Sequence, residues 1–339
     1  MSGLATILSR MLQAIPTLFG IVVVTFLLTR ALPGDPAAYF AGASATPESI
    51  AEIRAKLGLD QSLPVQFWRY LGSLGQGDLG QSISTGQPVS TELLRRLPAS
   101  LELTLFALLM SVTVAVPLGV LAAVRQDSWV DQLCRFIVTA GVSLPTFFTG
   151  LLLVYIFYFI LGWAPAPLGR LDMLHVAPPP VTGFLVLDGL IAGDLKVTWA
   201  AFKQLLLPGI TLALFTLAPL ARMTRAAMLQ ALASEYLRTA RAAGLSPGRV
   251  LFVYAFRNAL LPVITTLGMV FSFTLGANVL VEKVFAWPGI GSYAIEALVV
   301  SDYAAVQGFV LSMAVLFVVL NLVIDTLYTL IDPRVTIDG

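Results

Sequence analysis

The stretch S-E-Y-L-R-T-A-R-A-A-G-L-S-P-G-R-V-L-F-V-Y-A-F-R-N-A-L-L-P-V-I, running from Ser234 to Ile264, is the basic centre of a very apolar chain. Arg222, Arg225, Arg238, Arg241, Arg249 and Arg257 fall in it or just before it, and Glu235 is the one acid in that interval. An arginine at the centre of a bilayer costs about 2.5–3.5 kcal/mol on insertion scales, so the leucines between them cannot carry six. The segment therefore lies in water or at the interface, and the apolar runs on either side cross the membrane.

Its local grammar predicts two short helices over residues 234–261. Ser234 suits an N-cap, with Glu235 in the first turn where the helix dipole favours an anion. Gly244 fits the left-handed position that ends a helix. Ser246 and Pro247 restart the chain as N-cap and first helical residue, and Pro262 marks the junction with the next span. Ala240, Ala242 and Ala243 would let another surface approach closely. Two readings stand: a docking element for a partner protein, or an ordinary arginine-rich cytoplasmic loop of the kind the positive-inside rule predicts.

Composition bounds the rest. The 339 residues are 58% hydrophobic and 12% charged, with mean hydropathy +0.88; soluble domains carry about 25% charged residues, so this is an integral membrane protein. A net charge of +1 argues against a nucleic-acid partner. The single cysteine, Cys134, excludes an intrachain disulfide or a cysteine cluster, and the single histidine, His175, reads as loop surface.

Six spans follow from the apolar runs at residues 11–29, 99–124, 133–161, 205–221, 259–281 and 304–331, each near or above the ~20 residues a span requires. The first run is too long for a signal-peptide core, no small-residue cleavage site follows it, and it reads as a retained span. The turn A-L-P-G-D-P, from Ala31 to Pro36, stops the first helix. Residues 37–98 are polar and predict a small extracytoplasmic subdomain, with an amphipathic helix from Pro47 through Leu57 and a glycine-rich turn from Gly75 to Gly80. That turn lacks phosphate-loop spacing, and no such loop occurs elsewhere, so any ATP used is hydrolysed on a separate subunit.

Ser143-Leu144-Pro145 interrupts the third span. The outer loop at residues 162–204 carries V-T-G-F-L-V-L, from Val181 to Leu187, as an interfacial helix or a packed loop. Near the end comes V-F-A-W-P-G-I-G-S-Y, from Val284 to Tyr293, where Trp287 and Tyr293 suit an interface. Asp325, near the inner end of the last span, reads as an interhelical hydrogen bond, with transport chemistry the rival. The spans contain no carboxylate pair, Ser-His-Asp set or metal-ligand spacing, so no catalytic or metal site is expected. An even span number with the arginines on one side predicts cytoplasmic N- and C-termini.

T-A-R-A-A-G-L-S with R-N-A-L-L-P-V-I, L-P-G-D-P, and V-F-A-W-P-G-I-G together resemble the permeases of binding-protein-dependent ABC importers, specifically the B-type subunit of the peptide/nickel group. The wider family pattern, Glu-Ala-Ala, three residues, Gly, is departed from: Arg238, Thr239 and Ala240 stand at the Glu-Ala-Ala positions. The resemblance implies an all-α integral membrane protein of type I importer fold. Residues 1–98 would hold the first helix and outer segment, 99–332 the permease domain, and 333–339 a cytoplasmic tail. It also implies a bacterial inner-membrane location and an ATPase-coupling set of Arg238, Ala240, Arg241, Gly244, Leu245, Ser246 and Pro262. The partners it implies are a second homologous permease, two cytoplasmic ATPases carrying ATP and Mg, an extracytoplasmic substrate-binding protein, and membrane lipid, with no cofactor in this chain.

The function so implied is import of a small solute, a di- or oligopeptide first, with nickel chelates or another solute open. An ion-coupled secondary transporter would instead need ionisable residues at mid-membrane or repeated halves, neither of which is clear here. A structural or assembly subunit is the third reading.

Overall fold

The computed structural model describes residues 3–31, 35–42 and 45–331. Leu32, Pro33 and Gly34 of the L-P-G-D-P turn and the terminal D-P-R at 332–334 lie outside the described residues. The helices in chain order are α1 (Gly3–Ala31), α2 (Pro36–Ala41), α3 (Pro47–Lys56), α4 (Leu63–Gly75), α5 (Val89–Val124), α6 (Trp129–Ser143) and α7 (Thr146–Leu153), the last continued by π-helical turns over Val154–Ile160. Next come α8 (Leu185–Ile191), α9 (Leu195–Leu232), α10 (Glu235–Ala242) and α11 (Pro247–Arg249). A π stretch over Val250–Phe256 leads into α12 (Arg257–Val284), followed by α13 (Ile290–Val299) and α14 (Tyr303–Ile331). Among the described residues the only extended pairing is one bridge between Gln81 and Pro88.

Among the described residues five helices are long and apolar enough to cross a membrane: Leu12–Ala31, Val89–Val124, Leu195–Leu232, Pro247–Val284 and Tyr303–Ile324. The third predicted span is the exception because it is divided. Leu144 is extended (φ −113°, ψ 142°) between α6 and α7, since Pro145 pushes its predecessor out of the helical region. A six-span chain with one broken span is compatible with this arrangement.

The chain forms two compact units: residues 1–98 with 288–319, and residues 99–287 with 320–339. In the first, Val89 and Leu93 of α5, Ile290, Tyr293 and Ala297 of α13, and Ala305 of α14 make the core. Asp302 caps α14 by accepting from the Ala305 amide at 3.2 Å, and takes Ser82 Oγ at 2.7 Å from the Gln81 turn. Helix α3 starts as predicted, with Thr46 Oγ1 accepting from the Ser49 amide. Its Ile50 and Ile53 are only half-buried and Leu57 at its end is exposed, so it is not the amphipathic element expected. That role falls to α4, whose Phe67 packs edge-on against Phe26 at 5.2 Å between centroids.

In the second unit α9 is the central post. Of its most apolar stretch 72% is buried, against 17–39% for the other four spanning helices, and it packs on α6, α7, α8 and α12. Close approach depends on glycine, as small residues commonly provide in membranes. A Cβ on Gly119 of α5 would sit 2.8 Å from the Ala221 carbonyl oxygen of α9.

Three expectations need correcting here. The fourth span is not confined to residues 205–221: α9 begins at Leu195, because Asp194 caps it by accepting from the Lys196 and Val197 amides at 3.0 and 3.1 Å, and the outer loop ends there. The V-T-G-F-L-V-L segment yields a helix only from Leu185, anchored by buried Asp188, which accepts from Thr182 and Gly183. Burial alone would raise the Asp188 pKa; these donors outweigh it and hold the carboxyl below its usual range. Finally, Trp287 and Tyr293 are each 1% exposed and belong to cores rather than to an interface; Trp287 Nε1 donates to the Ala99 carbonyl at 2.9 Å.

Candidate functional site

The arginine-rich elbow is a short helix held by one face. Leu237 and Ala240 of α10 are buried in a cluster with Val120 and Ala123 of α5, Met228 and Ala231 of α9, and Val250, Ala255 and Ala259 beyond it. Glu235, Tyr236, Arg238, Thr239 and Arg241 face outward. This split follows from the sequence: leucine and alanine three positions apart lie on one helix face, and the charges occupy the others. Arg238 and Glu235 approach within only 3.8 Å, and both are more than 80% exposed, so the pair contributes little.

Helix α10 ends in a Schellman motif. Gly244 has φ +75°, its amide donates to the Arg241 carbonyl at 3.0 Å, and the Leu245 amide reaches back to Ala240 at 3.2 Å. Leu245 then packs on the same cluster that buries Ala240, the apolar contact that accompanies this motif. A Cβ on Gly244 would meet nothing within 4 Å. Backbone conformation, not internal crowding, therefore requires glycine here.

Of the predicted coupling residues, Arg238, Arg241, Gly244 and Ser246 come together on the exposed side of the elbow. Leu245 is half-buried and Ala240 points into the core. Pro262 does not join them. It lies inside α12, about 24 Å along the helix from Ser246. The expected second short helix with a junction at Pro262 is thus corrected: α11 runs through the π stretch into α12 as one helix. Pro262 has no N–H to offer the turn before it. The carbonyl this leaves without its intrahelical donor is that of Asn258, whose own side-chain Nδ2 donates to the Tyr254 carbonyl at 2.7 Å.

Ser234 and Ser246 occupy N-cap positions with extended backbone, but neither side chain accepts a capping hydrogen bond. Ser234 Oγ donates back to the Ala231 carbonyl, tying α10 to the end of α9.

Arg225 departs from the other arginines. Its Nε and Nη2 donate to Oδ1 and Oδ2 of Asp131, and Arg135 adds a third contact at 2.9 Å. Asp131 is fully buried. The Arg225 hydrogen bonds hold its carboxyl well below the usual range, against the opposing effect of burial, with Arg135 helping. Sequence reading missed Asp131 because it is one acid in a polar turn. Its position in the first turn of α6 was the available signal.

Toward the opposite end of α5, a buried polar seam joins this helix to α12. Asn278 Nδ2 donates to Thr104 Oγ1 at 3.1 Å and to the Ser100 carbonyl at 3.3 Å, and Ser100 Oγ donates to Glu282. Glu102, between Ser100 and Thr104 in sequence, accepts from Arg170 Nη2 and from the Val186 amide at 2.9 Å, fastening the loop and the start of α8 to α5. His175 rests on Asp172 in that loop. Asp325 lies on α14, and its side chain is outside the described residues.

Residues 115–337 match the family described as binding-protein-dependent transport system inner membrane component, and residues 4–104 match the N-terminal region of such membrane components. The chain belongs to this family. Its relatives include the dipeptide transport system permease protein DppB of Alkalihalophilus pseudofirmus, 41% identical and covering 98% of this chain and 99% of the relative. The probable D,D-dipeptide transport system permease protein DdpB of Escherichia coli is 44% identical over 93% of each, and the di/tripeptide transport system permease protein DppB of Pseudomonas aeruginosa is 43% identical over 98% of each. The binding-protein-dependent permease described here is therefore an all-helical, multi-pass inner-membrane transport component and not a catalytic enzyme. Among the described residues no group of acids, histidines and cysteines is placed to hold a metal ion.

Proposed function

We propose that this permease forms half of the translocation path of an ATP-driven importer of di- or oligopeptides. A second related permease would complete the path, an extracytoplasmic binding protein would deliver the peptide, and two cytoplasmic ATPases would carry the ATP and Mg. In this reading both termini are cytoplasmic, and Arg238, Arg241, Gly244, Leu245 and Ser246 form the docking face, with Ala240 seating it from beneath and Pro262 lying in the rod above. The observation that carries it is the elbow itself: a helix clamped by one apolar face, with its arginines left outward and, among the described residues, only the exposed Glu235 paired with them. The peptide assignment rests on the names of the relatives. An ion-coupled mechanism has less support, because the chain belongs to the binding-protein-dependent transport family.

The test is charge reversal. Arg238→Glu with Arg241→Glu is expected to leave the permease in the membrane while abolishing both ATPase co-purification and peptide uptake. Undiminished uptake by that variant would end this reading of the elbow. Ligand identification on the matching binding protein tests the substrate class separately.

A further inference from the structure

We propose that Arg30, at the outer end of α1, anchors the phosphate of a phospholipid headgroup. The "outer" label rests on the orientation proposed above, but the site does not. Arg30 lines a cavity of about 500 Å³ with Tyr70 of α4, Asp78, Gln81, and Tyr303 and Gln307 of α14; the Asp78 carboxylate is engaged by the Gly80 amide at 2.8 Å. Its Nε donates to Gln66 Oε1 at 3.2 Å and its Nη1 reaches Thr29 Oγ1 at 3.5 Å. Its plane stacks over the Phe26 and Tyr303 rings at 4.5 and 5.5 Å. None of these partners is an anion, and Nη2 has no acceptor among the described residues. A half-buried guanidinium in a polar cavity with donors to spare matches a phosphate diester.

The surroundings select a lipid over a soluble anion. Helix α4 lies along the membrane-crossing part of α1, not above it. Phe67 packs against both Phe26 and Phe19, which sit about 8 and 18 Å short of the Ala31 end. The face of α4 turned away from α1 exposes Trp68 (71%), Leu63 (49%) and Val65 (42%). At that depth these side chains meet headgroups and acyl chains, where tryptophan is favoured. Immediately beside Arg30, α1 also bears an apolar groove of about 690 Å³. It runs from Thr17 to Ala31 and is closed on the other side by Val306 and Val310. Its length, about 21 Å, suits an acyl chain extending from a headgroup held at Arg30. Thr29, hydrogen-bonded to Gln307 at 2.8 Å, stands where the cavity and the groove adjoin.

The experiment is native mass spectrometry of the delipidated, full-length permease in its complex, titrated with phosphatidylglycerol, with diacylglycerol of the same chains, or with inorganic phosphate as competitor. Phosphatidylglycerol is expected to bind, diacylglycerol not, and inorganic phosphate not to displace it. Arg30→Gln should weaken binding roughly tenfold, the loss of one charge-assisted contact, with Arg30→Lys intermediate. In a Cys134→Ser background, a nitroxide at Trp68→Cys should be more accessible to oxygen than to a nickel chelate. Equal lipid retention by Arg30→Gln, displacement by inorganic phosphate, or a water-exposed label at position 68 would each overturn the proposal.

Discussion

Arg225 grips Asp131 at two points, Nε to Oδ1 at 2.6 Å and Nη2 to Oδ2 at 2.8 Å, across 94 residues of chain. The pair fastens the start of α6 to the C-terminal part of α9, just before the elbow. Removing the cation leaves a buried carboxylate without its main partner. Arg225→Ala should therefore destabilise the protein by about 3 kcal/mol, while Asp131→Asn with Arg225→Gln should recover part of that loss. Thermal unfolding in detergent measures both.

The same pair sets a pH dependence. The Asp131 carboxyl titrates lower in the folded protein than in the unfolded chain, so its contribution is fully present above the unfolded value, about 4. It fades only as pH falls through the lower, folded value. Acidification toward pH 4 should cost the wild type no stability through this group, and the loss should come below that. In Asp131→Asn the acid limb of the stability profile should flatten by this one contribution.

Gly244 separates backbone strain from partner contact. A side chain there meets nothing within the chain, yet φ +75° costs most residues about 1–2 kcal/mol. Asparagine tolerates this region. Gly244→Asn should therefore leave the protein as stable as the wild type, while Gly244→Trp uncouples ATP hydrolysis from uptake without blocking insertion. Normal uptake with Gly244→Trp would show that nothing approaches the elbow closely.

Packing around the central post is testable through Gly119. Its virtual Cβ collides with Thr224 and the Ala221 carbonyl, so Gly119→Leu should lower the yield of folded protein and cost at least ~1–3 kcal/mol. Gly276, which has open space around it, is the matched control, and Gly276→Leu should retain wild-type thermal stability.

Glu102→Gln removes the charge that holds Arg170. The guanidinium keeps the Gly183 carbonyl at 2.7 Å, so the loop should loosen rather than unfold. Limited proteolysis should cut between residues 162 and 184 several-fold faster than in the wild type, with the helices intact.

What could be read in the sequence is what is local or compositional. The apolar runs announce the spans because lipid leaves the backbone few options. Pro145 announces the break in the third span, and Gly244 announces the end of α10. What escaped is what long-range pairing decides. Asp131 meets Arg225, and Glu102 meets Arg170, with no trace in the local pattern. Trp287 and Tyr293 carry interface-like chemistry but are enclosed by Ala99 and by Val89 and Leu93, elements remote in sequence. Pro262 misled because prolines usually mark helix ends, whereas membrane helices tolerate proline in their interior.

The uninterrupted run from Pro247 to Val284 has a mechanical meaning. Thirty-eight residues of helix make a shaft about 57 Å long, with its only irregular windings close to the elbow. The elbow end and the buried seam at Asn278 and Glu282 thus sit on one rod, with Pro262 its interior point of yield, so if the proposed ATPases push on the elbow, the seam is where their stroke is felt.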